Sequence, residues 1–281
     1  MIVGEAAVAA RWEAKLALGY LRRGARTVLA RRSHSGPLRV QRDLYPEGEG
    51  TCHTIVVHPP GGIAGGDALA VDATLGPDCA ALLTTPGAGK WYRSDGEPAS
   101  QRLSFDVGEG AVLEWLPRET IVFSGARADM ETQVTLHEGA VYLGWEILCL
   151  GRAAAGERFV RGQVRQRTEI RQDGRPLWVE RARFEGGDPL LDSPVGLAGC
   201  TVSATLVAAG RDLPAELILE CKRLQSGESG RAGVTRLPRL AAARYLGDSG
   251  EEAHDYFSRL WALLRPALKG CTAVKPRIWS T

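Results

Sequence analysis

The chain has 281 residues, 44% hydrophobic and 24% charged, which is enough apolar content for a substantial core. Its 35 basic and 33 acidic residues leave a formal net charge of +2, which argues against the basic footprint of a nucleic-acid binder. No apolar run approaches the roughly 20 residues of a membrane-spanning helix. Residues 1–10 lack the basic leader of a signal peptide. Six widely spaced cysteines (Cys52, Cys79, Cys149, Cys200, Cys221 and Cys271) form no CxxC pair, so reduced thiols and a cytoplasmic setting are expected.

In chain order, short runs rich in Val, Leu, Ile, Thr and aromatics recur between Gly, Pro and Asp turn signals. They predict strands over 26–32, 37–45, 52–58, 68–75, 79–85, 101–107, 111–116, 120–123, 130–137 and 141–150. Residues 158–184 read as a long hairpin turning at Asp173-Gly174. Its first arm alternates Val160, Gly162, Val164, Thr168 and Ile170 with Arg161, Arg165, Arg167, Glu169 and Arg171. A helix is predicted over 250–268, where Tyr256, Phe257, Leu260, Leu263 and Leu264 follow helical spacing and Glu251 and Glu252 suit the first turn. Residues 237–247 form a weaker helical candidate. No helical pattern separates the strands, which excludes a doubly wound nucleotide fold. The expected class is all-β, in one domain over 1–281 with no firm internal repeat.

Familiar chemical motifs fail on inspection. "TTPGAGKWYRS" (84–94) has Thr84 where a phosphate loop needs Gly, and Trp91 where it needs Ser or Thr. Cys52, His53 and His58 lack a second pair to close a zinc site, and no GxSxG elbow exists. "HPPGGIAGGD" (58–67) reads as a tight corner between strands, with His58 positioned to bond the glycines. Three glutamates stand out because alternation puts each on an apolar face: Glu114 with Val112 and Leu116, Glu146 with Tyr142 and Leu148, Glu180 with Trp178 and Phe184. Such carboxylates need an arginine, water or a cation.

Long strings in order then give the chain a family likeness: "YPEG" (45–48), "CH" (52–53), "HPPGGIAGGD" (58–67), "TTPGAGKWYRS" (84–94) and "LEWLPRETIVFSGAR" (113–127). They continue with "CLGRAAAGERF" (149–159), "LWVER" (177–181), "GVTRLP" (233–238), "LRP" (264–266) and "PRIWST" (276–281). From about residue 12 to 281 the chain resembles the UreD (UreH) family of urease accessory proteins. That resemblance implies a superhelical stack of mostly antiparallel strands with two helices near the C-terminus. It implies a nickel-insertion factor with no catalytic residues, partnered by a UreF-like accessory protein, through it a UreG-like GTPase, and apo-urease. Nickel(II) would pass transiently, with no tightly bound cofactor. Asp67, Glu146 and Glu180 are the expected nickel path, with Ser94 and Glu114 behind them. Lys90, Arg93 and Trp261 are candidate partner contacts, although the Trp261 stripe equally suits packing on the sheet. The rival is a metal-dependent hydrolase using His58, Asp67 and one glutamate; a third reading is an interaction module without metal.

Overall fold

Three four-residue turns set how the chain coils. They are Gly76 to Cys79, Gly108 to Ala111 and His137 to Ala140, in a computed structural model that describes residues 12–94 and 96–280. Each is closed by an amide donating back to its first residue, at 3.3, 3.0 and 3.0 Å. The third residue has positive φ in all three: Asp78 (56°), Gly110 (64°) and Gly139 (67°). Gly and, less readily, Asp tolerate that conformation. The fourth residue, Cys79, Ala111 or Ala140, is small and fully buried. The turns also stack, Asp78 N donating to Glu109 O and Gly110 N to Glu138 O, both at 2.9 Å. A Cβ on Gly110 would lie 2.6 Å from Asp78 Oδ1. The chain therefore has a recurring structural unit, invisible as a sequence repeat because it needs only one backbone conformation and one small side chain.

The strands are β1 (Glu13–Arg23), β2 (Arg26–Ser35), β3 (Arg39–Val40), β4 (Cys52–Val57), β5 (Ala68–Leu75) and β6 (Ala80–Thr84). Then come β7 (Gly89–Trp91), β8 (Ala99–Val107), β9 (Val112–Leu116), β10 (Thr120–Val122), β11 (Arg127–Leu136) and β12 (Val141–Leu150). The hairpin β13 (Gln163–Gln172) and β14 (Arg175–Glu185) precedes β15 (Val202–Ala209), α1 (Ala215–Arg223), β16 (Arg231–Leu237), β17 (Leu240–Gly247) and α2 (Gly250–Lys269). One sheet runs β14-β13-β11-β8-β5-β1-β2, and the other β16-β17-β15-β12-β9-β6-β4-β3. Each of the three turns hands the chain from the first sheet to the second.

This topology bears out an all-β stack but corrects the strand direction. Among the described residues, nine of fifteen strand pairings are parallel. Parallel neighbours usually need a long crossover. Here the return strand in the opposite sheet supplies it, so no helix is required. Two further corrections concern helices. Residues 237–247 form the Pro238-Arg239 turn and strand β17, because Leu240 and Ala242 face the space between the sheets while Ala241, Ala243 and Tyr245 face α2. Burial on both faces overrides alanine's helix preference. The other helix is instead α1, nine residues long and too short to show a clear period. Val160 is also misplaced by alternation: it precedes β13 and is 56% exposed.

Helix α2 is capped by Ser249, which accepts from Glu252 N, and closed by Gly270 at φ 81°. It runs through Pro266, which does not end it. Its apolar stripe packs on the second sheet, with Tyr256, Phe257, Leu260, Trp261 and Leu264 all buried. Beneath it lies a charge cluster. Arg265, 1% exposed, donates to both oxygens of Glu114 at 2.8 and 3.0 Å and to Glu47 at 2.7 Å. Lys269 reaches Glu47 at 3.3 Å, and His53 bonds Glu47 at 2.6 Å. Burial alone would raise the Glu47 carboxyl, but His53, Arg265 and Lys269 outweigh it and hold it at about 2. Glu47 thus adds stability that is full above its ordinary 4.5 and is lost as pH falls through about 2. Arg265→Met leaves two buried carboxylates short of a counter-charge and is expected to cost about 3–5 kcal/mol at pH 7. Urea unfolding checks this, and adding Glu114→Gln and Glu47→Gln to Arg265→Met is expected to recover much of the loss.

Candidate functional site

Strand alternation sorts the polar residues of the two sheets into separate compartments. Even-numbered residues of β11, β12, β13 and β17 and odd-numbered residues of β15 face the space between the sheets, where Met130, Val134, Tyr142, Leu148, Val164, Ile170, Val207 and Ala242 form the core. Odd-numbered residues of β12 and β17, such as Leu143, Trp145, Ala241 and Tyr245, and even-numbered residues of β15, such as Leu206, face the helices. Polar residues on these inward faces therefore interrupt the inner core together. Thr132, Glu146, Gln166, Thr168, Glu180, Ser203, Thr205 and Arg244 line a polar cavity of about 100 Å³ at the β14–β17 end.

Glu146 sits at a junction. It lines that cavity and also a second one of about 350 Å³, which extends beside Trp115 to His58, Gly61 and Lys90. Although Glu146 belongs to the second sheet, the first sheet holds it. The Thr132 hydroxyl donates to Oε1 at 3.2 Å, and the Gln166 amide donates to Oε2. Both donors are neutral. Burial pushes the Glu146 carboxyl above its usual range, the two hydrogen bonds pull it back, and the charge of Glu180 adds to the rise. Glu180 is partnered on its outer side by Arg244, which donates to Oε1 at 2.6 Å. Two carboxylates are thus drawn together, one neutralised by a cation and one not. At the far end of the larger cavity, burial pushes the His58 imidazole down, with Asp67 opposing. His58 Nε2 is buried with no hydrogen-bond partner.

The other predicted site residues are scattered. Asp67 accepts from Ala64 N at 2.9 Å and Trp12 N at 3.1 Å, closing the corner behind His58, and it lines neither cavity. Ser94 donates to Glu97 O in the same corner region. Glu114 is corrected: β9 turns it, with Leu116, toward α2, where Arg265 and Trp261 consume its oxygens. Trp261 is corrected too, because it is fully buried against the sheet and presents no surface to a partner. Lys90 is exposed on β7 at the rim of the larger cavity, while Arg93 lies apart, in a hollow with Arg127 and Arg161. The corner bond of His58 is made by its carbonyl, which accepts from Gly61 N at 3.0 Å, and not by its ring.

Residues missed from sequence are Thr132, Gln166, Thr205 and Arg244. Each was legible as a polar residue on an apolar face, the signal used for the glutamates. Because the folded Glu146 carboxyl titrates above its ordinary 4.5, the stability it confers when protonated is lost as pH rises through its folded value. Glu146→Gln is expected to be more stable than the wild type at pH 7 and to show no such gain at pH 4, read by urea unfolding at both.

Among the described residues no helix is long and apolar enough to cross a membrane. Comparison with known proteins is consistent over nearly the whole chain. The profile of the UreD urease accessory protein family matches residues 13–280. A urease accessory protein UreD from Dechloromonas aromatica is 56% identical over 273 residues, covering 96% of this chain and 95% of that protein. Its counterpart from an Azoarcus species is also 56% identical, over 96% and 94% of the two chains. The one from Pseudomonas aeruginosa is 51% identical over 96% and 95%. These relatives are named as accessory proteins and not as enzymes, and their likeness spans both sheets, both helices and the cavities between. The chain belongs to the UreD family of urease accessory proteins.

Proposed function

We infer that this chain is a cytoplasmic urease maturation factor that passes nickel(II) through the space between its sheets. The donor side would be a UreF-like accessory protein with its UreG-like GTPase, and the acceptor apo-urease. The observation that carries this reading is the position of Glu146, shared by two cavities that together run from His58 and Lys90 to Glu180 and Arg244.

The chemistry suits transit. Nickel(II) takes oxygen and imidazole nitrogen ligands. Glu146 and Glu180 offer carboxylate oxygens, Thr132 and Thr205 offer hydroxyls, and His58 offers a free ring nitrogen at the other end. Among the described residues no three His, Cys, Asp or Glu converge to hold one metal ion. Tight retention needs about that number of protein ligands, so donors spaced along a passage favour a cation that arrives and leaves. The same spacing weighs against a hydrolase built on His58, Asp67 and a glutamate. Asp67 contributes indirectly, by fixing the His58 corner.

The test co-expresses the cognate urease with this chain and its partners and measures nickel per purified urease active site. Loading is expected to fall severalfold with Glu146→Gln or Glu180→Gln, and to match the level without the chain when both are changed. Full loading with the folded double variant would move the path elsewhere and favour a metal-free interaction module.

A further inference from the structure

Among the described residues that line the polar cavity, Arg244 is the one that carries a positive charge. Strand β17 places it there: Leu240, Ala242 and Arg244 share the face toward the first sheet, and the run changes from buried to exposed at Arg244. Its Nη1 donates to Glu180 Oε1 on β14 at 2.6 Å and to Thr205 Oγ1 on β15 at 3.3 Å. Its guanidinium carbon lies 5.7 Å from the centre of the Trp178 ring. Among the described residues this is the ion pair that joins a strand of one sheet directly to a strand of the other. Glu180 is mostly buried, at 20% exposure, while Arg244 remains 58% exposed.

A half-exposed arginine on a mostly buried carboxylate is held from one side only. Its long side chain stays hydrated when it swings out, so the cost of release falls on Glu180 and not on Arg244. Glu180 cannot follow, being fixed on its strand. Without Arg244, the cavity would hold Glu146 and Glu180 facing each other with only neutral donors around them, which is costly in a poorly solvated space. A cation beside Glu180 relieves that cost. Resting on the nickel-passage reading above, we propose that Arg244 is a displaceable gate: its guanidinium holds the outer carboxylate when the passage is empty, and gives up Glu180 when a divalent cation takes its place. The exchange keeps Glu180 partnered by a cation throughout and shuts the mouth against solvent between transfers. Arg244 acts through Glu180 and is not itself a ligand.

Equilibrium dialysis of the full-length chain against nickel chloride at pH 7.5 tests this, with thermal unfolding as a folding control. Arg244→Met removes the competing charge and is expected to tighten nickel binding about fivefold, the size of a weak ion pair. Arg244→Lys is expected to keep the affinity near wild type. Arg244→Met with Glu180→Gln is expected to lose the gain, because the gate has nothing left to release. Equal affinity in wild type and Arg244→Met, with binding still weakened by Glu146→Gln, would overturn the gate and leave the passage standing. Nickel binding that ignores Glu146 and Glu180 in every variant would overturn both.

Discussion

Left-handed backbone at one position of each corner is the constraint on which the architecture rests. At Asp78, Gly110 and Gly139 the chain reverses within four residues and enters the opposite sheet. Because the turns hydrogen-bond to one another, strands on both sides are brought into parallel register together. Two sheets made this way must face each other along their length. Every side chain of alternate parity is then committed to the space between them, and any polar residue of that parity is buried whether or not its surroundings suit it.

That commitment explains the different fates of three glutamates. Glu114 and Glu146 are both carried by strands of the second sheet, yet they point to opposite faces. Glu114 meets Arg265 in bidentate contact and becomes part of the structure. Glu146 meets a hydroxyl and an amide, which satisfy its hydrogen bonds but not its charge. Glu180, on the facing strand of the first sheet, keeps its counter-charge only at the rim. A fully compensated carboxylate stabilises the fold, and an undercompensated one beside open space is the kind of group the proposed passage requires. The structure contains both, separated by the thickness of one sheet.

The helical layer serves the same division. Helix α2 covers the outer face of the second sheet with aromatic side chains, and its Arg265 neutralises what that face buries. The inner face is thereby left as the place where polar residues stay uncompensated. Its ends are marked by cations on opposite sides, Lys90 on β7 and Arg244 on β17. The relatives are named as urease accessory proteins, and the passage proposed above would use this lumen to handle a metal without keeping it.

Much of this was readable from the chain itself. Period-2 alternation located most strands to within a few residues, and the apolar faces carrying Glu114, Glu146 and Glu180 were correctly identified. The stretch 250–268 announced α2 through its acidic first turn and apolar stripe. Long ordered strings identified the family. Other features needed the third dimension. Alternation tells which residues share a face but not what covers that face, so Glu114 and Glu146 looked alike until α2 took one and β11 and β13 took the other. Trp261 likewise suited a partner contact or the sheet equally well until packing buried it. Alanine-rich 240–243 became strand because neighbours on both sides required small residues there. The parallel order of the sheets was hidden for a related reason: it arises from corners where one positive φ and one small side chain suffice, a demand on conformation that several residue types meet.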